Sequence, residues 1–474
     1  LTEFRGPTLT CTDNDRNGNR ATRPIDEHDL NVLTPTLTVP SSADVSAAGY
    51  RAVFAVPEFR VVWLAHLLSV GGDQLARVAI AVLVFDRTHS PGWTALTYAM
   101  TFLPDLVGGS VLAGLADRFP RRTVMVAADL SRGCLVAALA CPGVPLVTQI
   151  GVLFGVQLLA APFTAARTAV LPEILSGDLL TVGTGLISLT YQVALTAGLG
   201  GGGAVVAAVG THCALWVDAA TFALSGALIA TGLSAHRPRA VVSGGQGVSA
   251  GQRVWWTSVR GGLRVIAQRP RARALLLIAC LCGCYVVPEG LAVPYAHQIG
   301  AGTAGVGWLL AANPVGTVLG VLVLNRLRPD RRLWLLGPLA VATSLVLLPT
   351  ALAPGLGVTV VLWAASGAAS AHDSVTNAEF VRDVPEHARA QAVGLAVAAL
   401  RAAQGVGIVV AGLLAQVLAT STVVGIAGGT GVVVGLAAAV SWTRARSSGD
   451  AEPALLVDSA RPAGGLTDPG TPRT

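Results

Sequence analysis

Twelve stretches of this chain are each long and apolar enough to cross a lipid bilayer. A spanning helix needs about 20 predominantly apolar residues. Candidates lie at 60–85, 93–115, 123–140, 144–163, 179–210, 212–233, 273–299, 303–324, 333–353, 355–378, 389–418 and 421–443. Hydrocarbon offers no partner to backbone N–H and C=O groups, so segments of this length satisfy them internally as helices. Composition agrees: 53% of the 474 residues are hydrophobic and 12% are charged, against about 25% charged in soluble proteins.

Arginine placement tests the count. Arg118, Arg121 and Arg122 lie between the second and third spans, and Arg167 lies between the fourth and fifth. Eight more fall on or beside the 6–7 connection, four on 8–9 (Arg326, Arg328, Arg331, Arg332) and two on 10–11 (Arg382, Arg389). The opposite loops carry one, Arg87. Basic loops stay in the cytoplasm, so both termini are expected there, and because all 32 basic residues are arginine, as a GC-rich genome favours, the expected membrane is a bacterial cytoplasmic one. The chain also repeats. "DRFPRR" (117–122) after span two recurs loosely as "NRLRPDRR" (325–332) after span eight. "LPEILSGDLLTVG" (171–183) before span five answers "VPEHARAQAVG" (384–394) before span eleven. The expected fold is therefore an all-α membrane protein, with twelve transmembrane helices in two pseudo-symmetric six-helix bundles. Residues 59–233 and 273–443 would form the bundles. Residues 234–272 read as a cytoplasmic linker, in which Trp255, Trp256, Val259, Leu263 and Ile266 mark one face of an amphipathic helix. Residues 1–58 and 444–474 are polar and read as disordered cytoplasmic tails. The first of them has no apolar core of a signal peptide.

Several function classes drop out. No lysine occurs, so the phosphate-binding G-x-x-x-x-G-K-[ST] loop and Schiff-base chemistry are both missing. H-E-x-x-H is missing too. An enzyme, a cofactor and a nucleic-acid partner are not expected. The seven cysteines are scattered, six of them within apolar runs. "CLCGC" (280–284) puts Cys280 and Cys284 on one helix face, but a small apolar filler explains them better than a soft-metal site.

At "GLADRFPRR" (114–122) the chain resembles the major facilitator superfamily. The resemblance spans roughly 59–443. It narrows to the drug:proton antiporter branch with macrolide-efflux and enterobactin-exporter-like proteins through "GDQLARVAIAVLVFDRTHSP" (72–91), "AADLSRG" (127–133), "RTAVLPEI" (167–174) and "WVDAATFALSGAL" (216–228). The likeness implies two halves rocking about a central site, with proton as coupling ion. It implies that Gly114, Asp117, Arg118, Arg121 and Arg122 form a conformational-switch loop latching the halves. Other drug-exporter branches carry an Arg in span four and a Gly-Pro pair in span five. Span four as bounded above has no Arg, and span five has "AGLGGGG" (197–203) without Pro.

Intramembrane charges are the functional candidates. Asp73 and Arg77, one helical turn apart and about 20 Å from Arg60 at 1.5 Å per residue, share a face near mid-depth. They read either as a neutralised structural pair or as a proton-carrying carboxylate tuned by its arginine. Asp105 lies at similar depth in span two. Glu289 sits between Pro288 and Pro294, where helix breaks free backbone carbonyls. Arg401 lies at similar depth in span eleven and is the expected partner of Glu289. Asp129, Arg132 and Asp218 read as structural, because the third and sixth helices lie outside the cavity in the resembled family. His66 reads as a packing residue. Asp373, beside His372, reads as a gate element or a solvated carboxylate. Together these readings describe a monomeric, proton-coupled exporter of a small organic molecule within the lipid bilayer. The alternatives are a nutrient or siderophore importer of the same fold, or a membrane sensor.

Overall fold

The computed structural model describes residues 10–14, 20–24, 42–104, 118–234 and 260–459. They fall into two units, Leu1–Val53 and Phe54–Thr474. In the first, β1 (Thr10–Asn14) and β2 (Arg20–Pro24) pair antiparallel, with Thr12 opposite Thr22. The helix α1 (Ser42–Ala55) begins there too. All three elements lie within the stretch read as a tail.

The second unit is helical. Among the described residues, ten helices are long and apolar enough to cross a membrane. In order they begin with α2 (Pro57–Thr88), which stops where "DRTHSP" turns the chain. His89 takes a left-handed conformation with its N–H on the Phe85 carbonyl, and Ser90 caps the next helix by accepting from the Trp93 N–H. That helix, α3, covers Pro91–Ala99, with Pro91 in the first turn where its missing N–H costs nothing. Residues 105–117, with Asp105 and Gly114 of the second expected span and Asp117 of the 2–3 loop, lie outside the described residues. Helices α4 (Arg121–Ala140), α5 (Leu146–Ile174), α6 (Asp178–Val209) and α7 (Thr211–Gly232) complete the first half. Helix α5 continues through Pro162 well past residue 163. This corrects the placement of Arg167: it belongs to the fourth spanning helix, not to a loop. Arg167 interrupts the apolar run without ending the helix, because Ala166 and Val170 on either side still pack in an apolar cluster with Val62, Met125 and Ile229.

The seventh span is broken, as its prolines require. After α8 (Pro270–Cys280) come three short helices, α9 (Cys282–Tyr285), α10 (Val287–Gly290) and α11 (Ala292–Gln298). Neither Pro288 nor Pro294 can donate to the carbonyl four residues back. Then follow α12 (Gly302–Asn325), α13 (Pro329–Leu345), α14 (Leu356–Ser370), α15 (His372–Asp383), α16 (Arg389–Leu414) and α17 (Thr420–Ser459). The tenth expected span is thus two helices that meet at Ala371, and the last helix continues well past residue 443. Of the expected linker helix, 260–268 is helical and lies against Gln391, with Ile266 buried and Leu263 exposed; Trp255, Trp256 and Val259 lie outside the described residues.

Contacts between the two halves gather at the Arg-poor end. Helix α6 packs on α12, and α3 on α16. The glycine run of α6 makes the first crossing possible: a Cβ on Gly203 would lie 2.3 Å from the Gly307 nitrogen. Close approach of backbones, rather than a proline, is what "AGLGGGG" supplies. At the second crossing Gly412 sits against Ala95, and the Phe85 and His297 rings meet edge to face with centroids 5.3 Å apart.

Candidate functional site

A cavity of about 1330 Å³ lies between the halves. It exceeds the usual ligand pocket of about 300–1,000 Å³. Its walls run from Tyr98, Arg77 and Glu289, near the inter-half contacts, to Arg167, Thr164 and Gln391 toward the Arg-rich end. Aromatic faces (Tyr98, Phe102, Phe163, Tyr191, Tyr285) alternate with polar groups along it.

On α2 the stripe is His66, Ser69, Asp73 and Arg77, recurring every three or four residues and so lying on one face. The expected pairing of Asp73 with Arg77 is corrected. Asp73 is held by Arg132 of α4, whose Nη2 donates to Oδ1 at 2.8 Å and to Oδ2 at 2.6 Å. Arg132 Nη1 donates to Ser69 Oγ at 3.1 Å, and its guanidinium lies 4.3 Å over the Phe222 ring. One guanidinium nitrogen shared between both carboxylate oxygens is a charge-assisted contact, and it holds Asp73 to α4 rather than to the neighbour on its own helix. Arg132 is 2% exposed, so its buried charge needs carboxylates beside it, and Asp73 and Asp129 supply them. It is therefore part of the cavity wall, not a residue outside it. The signal was present in "AADLSRG", an arginine inside an apolar helix. Only the expectation that the third helix lies apart from the cavity hid it.

Behind this pair sit two more carboxylates. Asp129 accepts from Ser225 Oγ at 2.5 Å, and its other oxygen is 3.7 Å from Arg132 Nη1. Asp218 of α7 packs on Gly72, where a Cβ would come within 2.1 Å of its Oδ1.

Glu289 lines the cavity from the broken helix, and its Oε2 accepts from Tyr98 Oη at 2.9 Å. This bond joins the halves and replaces the pairing expected with Arg401. Arg401 lines the same cavity, donates to Gln404 Oε1 at 3.3 Å and lies 5.6 Å from the Phe102 ring centroid. Asp373 accepts from the Tyr285 hydroxyl and lies 3.6 Å from His372 Nε2. Arg167 donates to His66, so His66 is a cavity-wall acceptor as well as a packed ring. Tyr98, Tyr285 and Arg167 were not among the sequence candidates. Nothing local marks the tyrosines, since only the fold sets their hydroxyls against carboxylates.

The described part of the 2–3 loop is tied to its own half. Arg121 pairs with Glu173 and donates to the Ala169 carbonyl at 2.7 Å, and Arg122 donates to the Ala230 carbonyl. Arg118 is exposed. Among the described residues no group of His, Cys, Asp and Glu could hold a metal ion.

A helical membrane unit whose halves enclose a charged cavity matches one class of proteins closely. A POT family transporter in complex with a thioalcohol-conjugated peptide superposes with a TM-score of 0.67 at 10% identity, covering 83% of this chain and 99% of that one. The nucleoside transporter NupG gives 0.63 at 14% identity, with 82% and 99% covered. The fold is that of the major facilitator transporters. Residues 48–458 match the transmembrane secretion effector family, and the chain belongs to it. It is not an enzyme family. Among curated relatives, the multidrug efflux pump Tap of Mycobacterium tuberculosis is 29% identical over 383 residues, 76% of this chain and 87% of that protein. Tap of Mycolicibacterium fortuitum is 24% identical over 383 residues, 75% and 88% of the two chains. The MFS-type transporter YfiS of Bacillus subtilis is 26% identical over 269 residues, 55% and 62%.

Proposed function

We propose that this protein exports small, moderately apolar organic molecules, such as drugs, antibiotics or secondary metabolites, across the bacterial cytoplasmic membrane in exchange for protons. The observation that carries the reading is the cavity itself. It is walled by both halves, bounded by inter-half contacts at one end, and lined by aromatic rings and ionisable side chains. The likeness to multidrug efflux pumps supports export rather than import.

In this reading the chain has twelve spans in two pseudo-symmetric bundles and works as a monomer. Both termini lie in the cytoplasm, which makes the Arg-rich end the cytoplasmic one and this conformer the inward-open one. Substrate enters from the cytoplasm or inner leaflet. The halves then rock, the crossings α6–α12 and α3–α16 part, and the cavity opens outward. The bond from Tyr98 to Glu289 spans the halves, so a proton on Glu289 changes what holds the outer end shut. Asp73, gripped by Arg132, is the second proton-accepting candidate. Arg77, Asp105 and Arg401 set the field around these carboxylates. The 2–3 loop, with Gly114, Asp117, Arg118, Arg121 and Arg122, acts as the switch that releases one half from the other. Expression of such a pump would raise resistance to its substrates.

Everted membrane vesicles test this with ethidium as probe. Their lumen corresponds to the cell exterior, so an acid lumen drives uptake if protons leave as dye enters. Uptake should follow the imposed gradient and collapse with a protonophore. Glu289→Gln or Asp73→Asn should abolish uphill uptake while downhill dye exchange persists. Uptake by all single and combined variants equal to the unsubstituted protein would refute the carboxylate assignment, and gradient-independent uptake would refute antiport.

A further inference from the structure

Behind the Asp73–Arg132 pair lies a second, much smaller void of about 10 Å³, bounded by Asp73 and Arg77 of α2, Gln157 of α5 and Asp218 of α7 among apolar neighbours. One water needs roughly 10–15 Å³ and two to four polar partners, and this void offers both. Two of its wall residues carry buried polar atoms without a hydrogen-bond partner, Arg77 Nε and Asp218 Oδ2. Asp218 is fully buried at 0% exposure, and its Oδ1 receives only a 3.3 Å contact from Thr221. Asp73 and Gln157 also line the large cavity, so the two spaces share a wall.

The charge count around this spot is uneven. Asp73, Asp129 and Asp218 face Arg77 and Arg132: three carboxylates against two guanidiniums. No other charged side chain lines the void, and α5 contributes Gln157 beside the apolar Leu153 and Val156. One proton makes the set neutral. Asp73 is already engaged by both Arg132 bonds, and Asp129 by Ser225 with Arg132 alongside. Asp129 Oδ1 and Asp218 Oδ2 both lack a hydrogen bond, but Asp129 Oδ1 has the Arg132 cation 3.7 Å away and does not line the void, which leaves Asp218 as the carboxylate open to the water.

We infer that Asp218 is a further proton-binding site of the protein, distinct from Glu289 and Asp73 and reached from the central cavity through one water held between Arg77, Gln157 and Asp73. The water gives a proton to Asp218 Oδ2 as its own O–H bond breaks, and it is re-protonated from the cavity side. No other bond changes. Gly72 holds the geometry, since any side chain there would collide with Asp218. Release of Asp218's proton returns a negative charge beside Arg132 and competes with Asp73 for it. The site's part in transport rests on the proton-antiport reading, while its existence is tested without transport.

The test is infrared difference spectroscopy on the full chain in liposomes, reading the C=O stretch of protonated carboxyl groups as the external pH is stepped. A pH-responsive band should be lost in Asp218→Asn and retained in Asp129→Asn and Glu289→Gln. Gln157→Leu, which keeps Asp218 but replaces the void's polar wall, should leave that band unresponsive to the same pH step. An Asp218→Asn difference spectrum identical to the unsubstituted one overturns the proposal. If Asp218→Asn does not fold, an unaltered pH response in Gln157→Leu overturns it alone. Loss of the band alongside gradient-independent ethidium uptake would keep the site and remove the antiport reading.

Discussion

The grip of Arg132 on Asp73 can be taken apart by a double-mutant cycle. Arg132→Gln removes both short bonds to Asp73, the bond to Ser69 and the stacking on Phe222. It also leaves Asp73, Asp129 and Asp218 without their shared cation. Removing one member of a buried pair costs about 3–5 kcal/mol. Asp73→Asn is milder for three reasons read from the geometry. Its side chain is 17% exposed, the asparagine oxygen still accepts one bond, and Asp129 Oδ1 stands 3.7 Å from Nη1 to take up the freed donor. The loss is that of charge-assisted bonds, about 1–3 kcal/mol. The double variant removes charge and counter-charge together, so its cost should fall short of the sum by about 1–3 kcal/mol. The assay is denaturant unfolding of the full chain in mixed micelles, followed by far-ultraviolet ellipticity, with midpoints compared at constant slope. Additive costs would refute the pairing. So would an Asp73→Asn that destabilises more than Arg132→Gln, because that order would make Asp129 irrelevant.

Two further predictions concern the closed end. Gly203→Val places side-chain atoms where the Gly307 nitrogen and the Thr303 carbonyl already lie, 2.3 and 3.1 Å from the new Cβ. Overpacking of this kind costs about 1–3 kcal/mol, charged to the closed conformer alone; spin labels across α6 and α12 should report separated populations, and an unchanged distance distribution would count against the crossing. Tyr98→Phe keeps the ring beside Phe102 but deletes the bond to Glu289. One such bond is worth about 1 kcal/mol, so the outward-open population should rise about fivefold in the same measurement, with the unfolding midpoint shifted little.

Legibility from sequence divides along physical lines. Hydrophobic length is a local property, so ten of the spans stand where apolar runs place them, and the prolines around Glu289 announce a break that the backbone then makes. Helix ends are less local. Arg167 was misplaced because one charge read as the end of the span, whereas it turns to His66 while Ala166 and Val170 carry the helix on against apolar neighbours. Partner choice is not local at all. Spacing made Arg77 the neighbour of Asp73, yet a guanidinium on another helix reaches both oxygens of Asp73 with one nitrogen and Ser69 with the other. Asp218 shows the same limit. It reads as structural from the place of its helix, and only the glycine opposite it shows the α2 backbone packed against its carboxylate. In a membrane half made of tightly crossed helices, small residues decide which charges meet. Gly72 and the glycine run of α6 were therefore as informative about the site as the charged residues themselves.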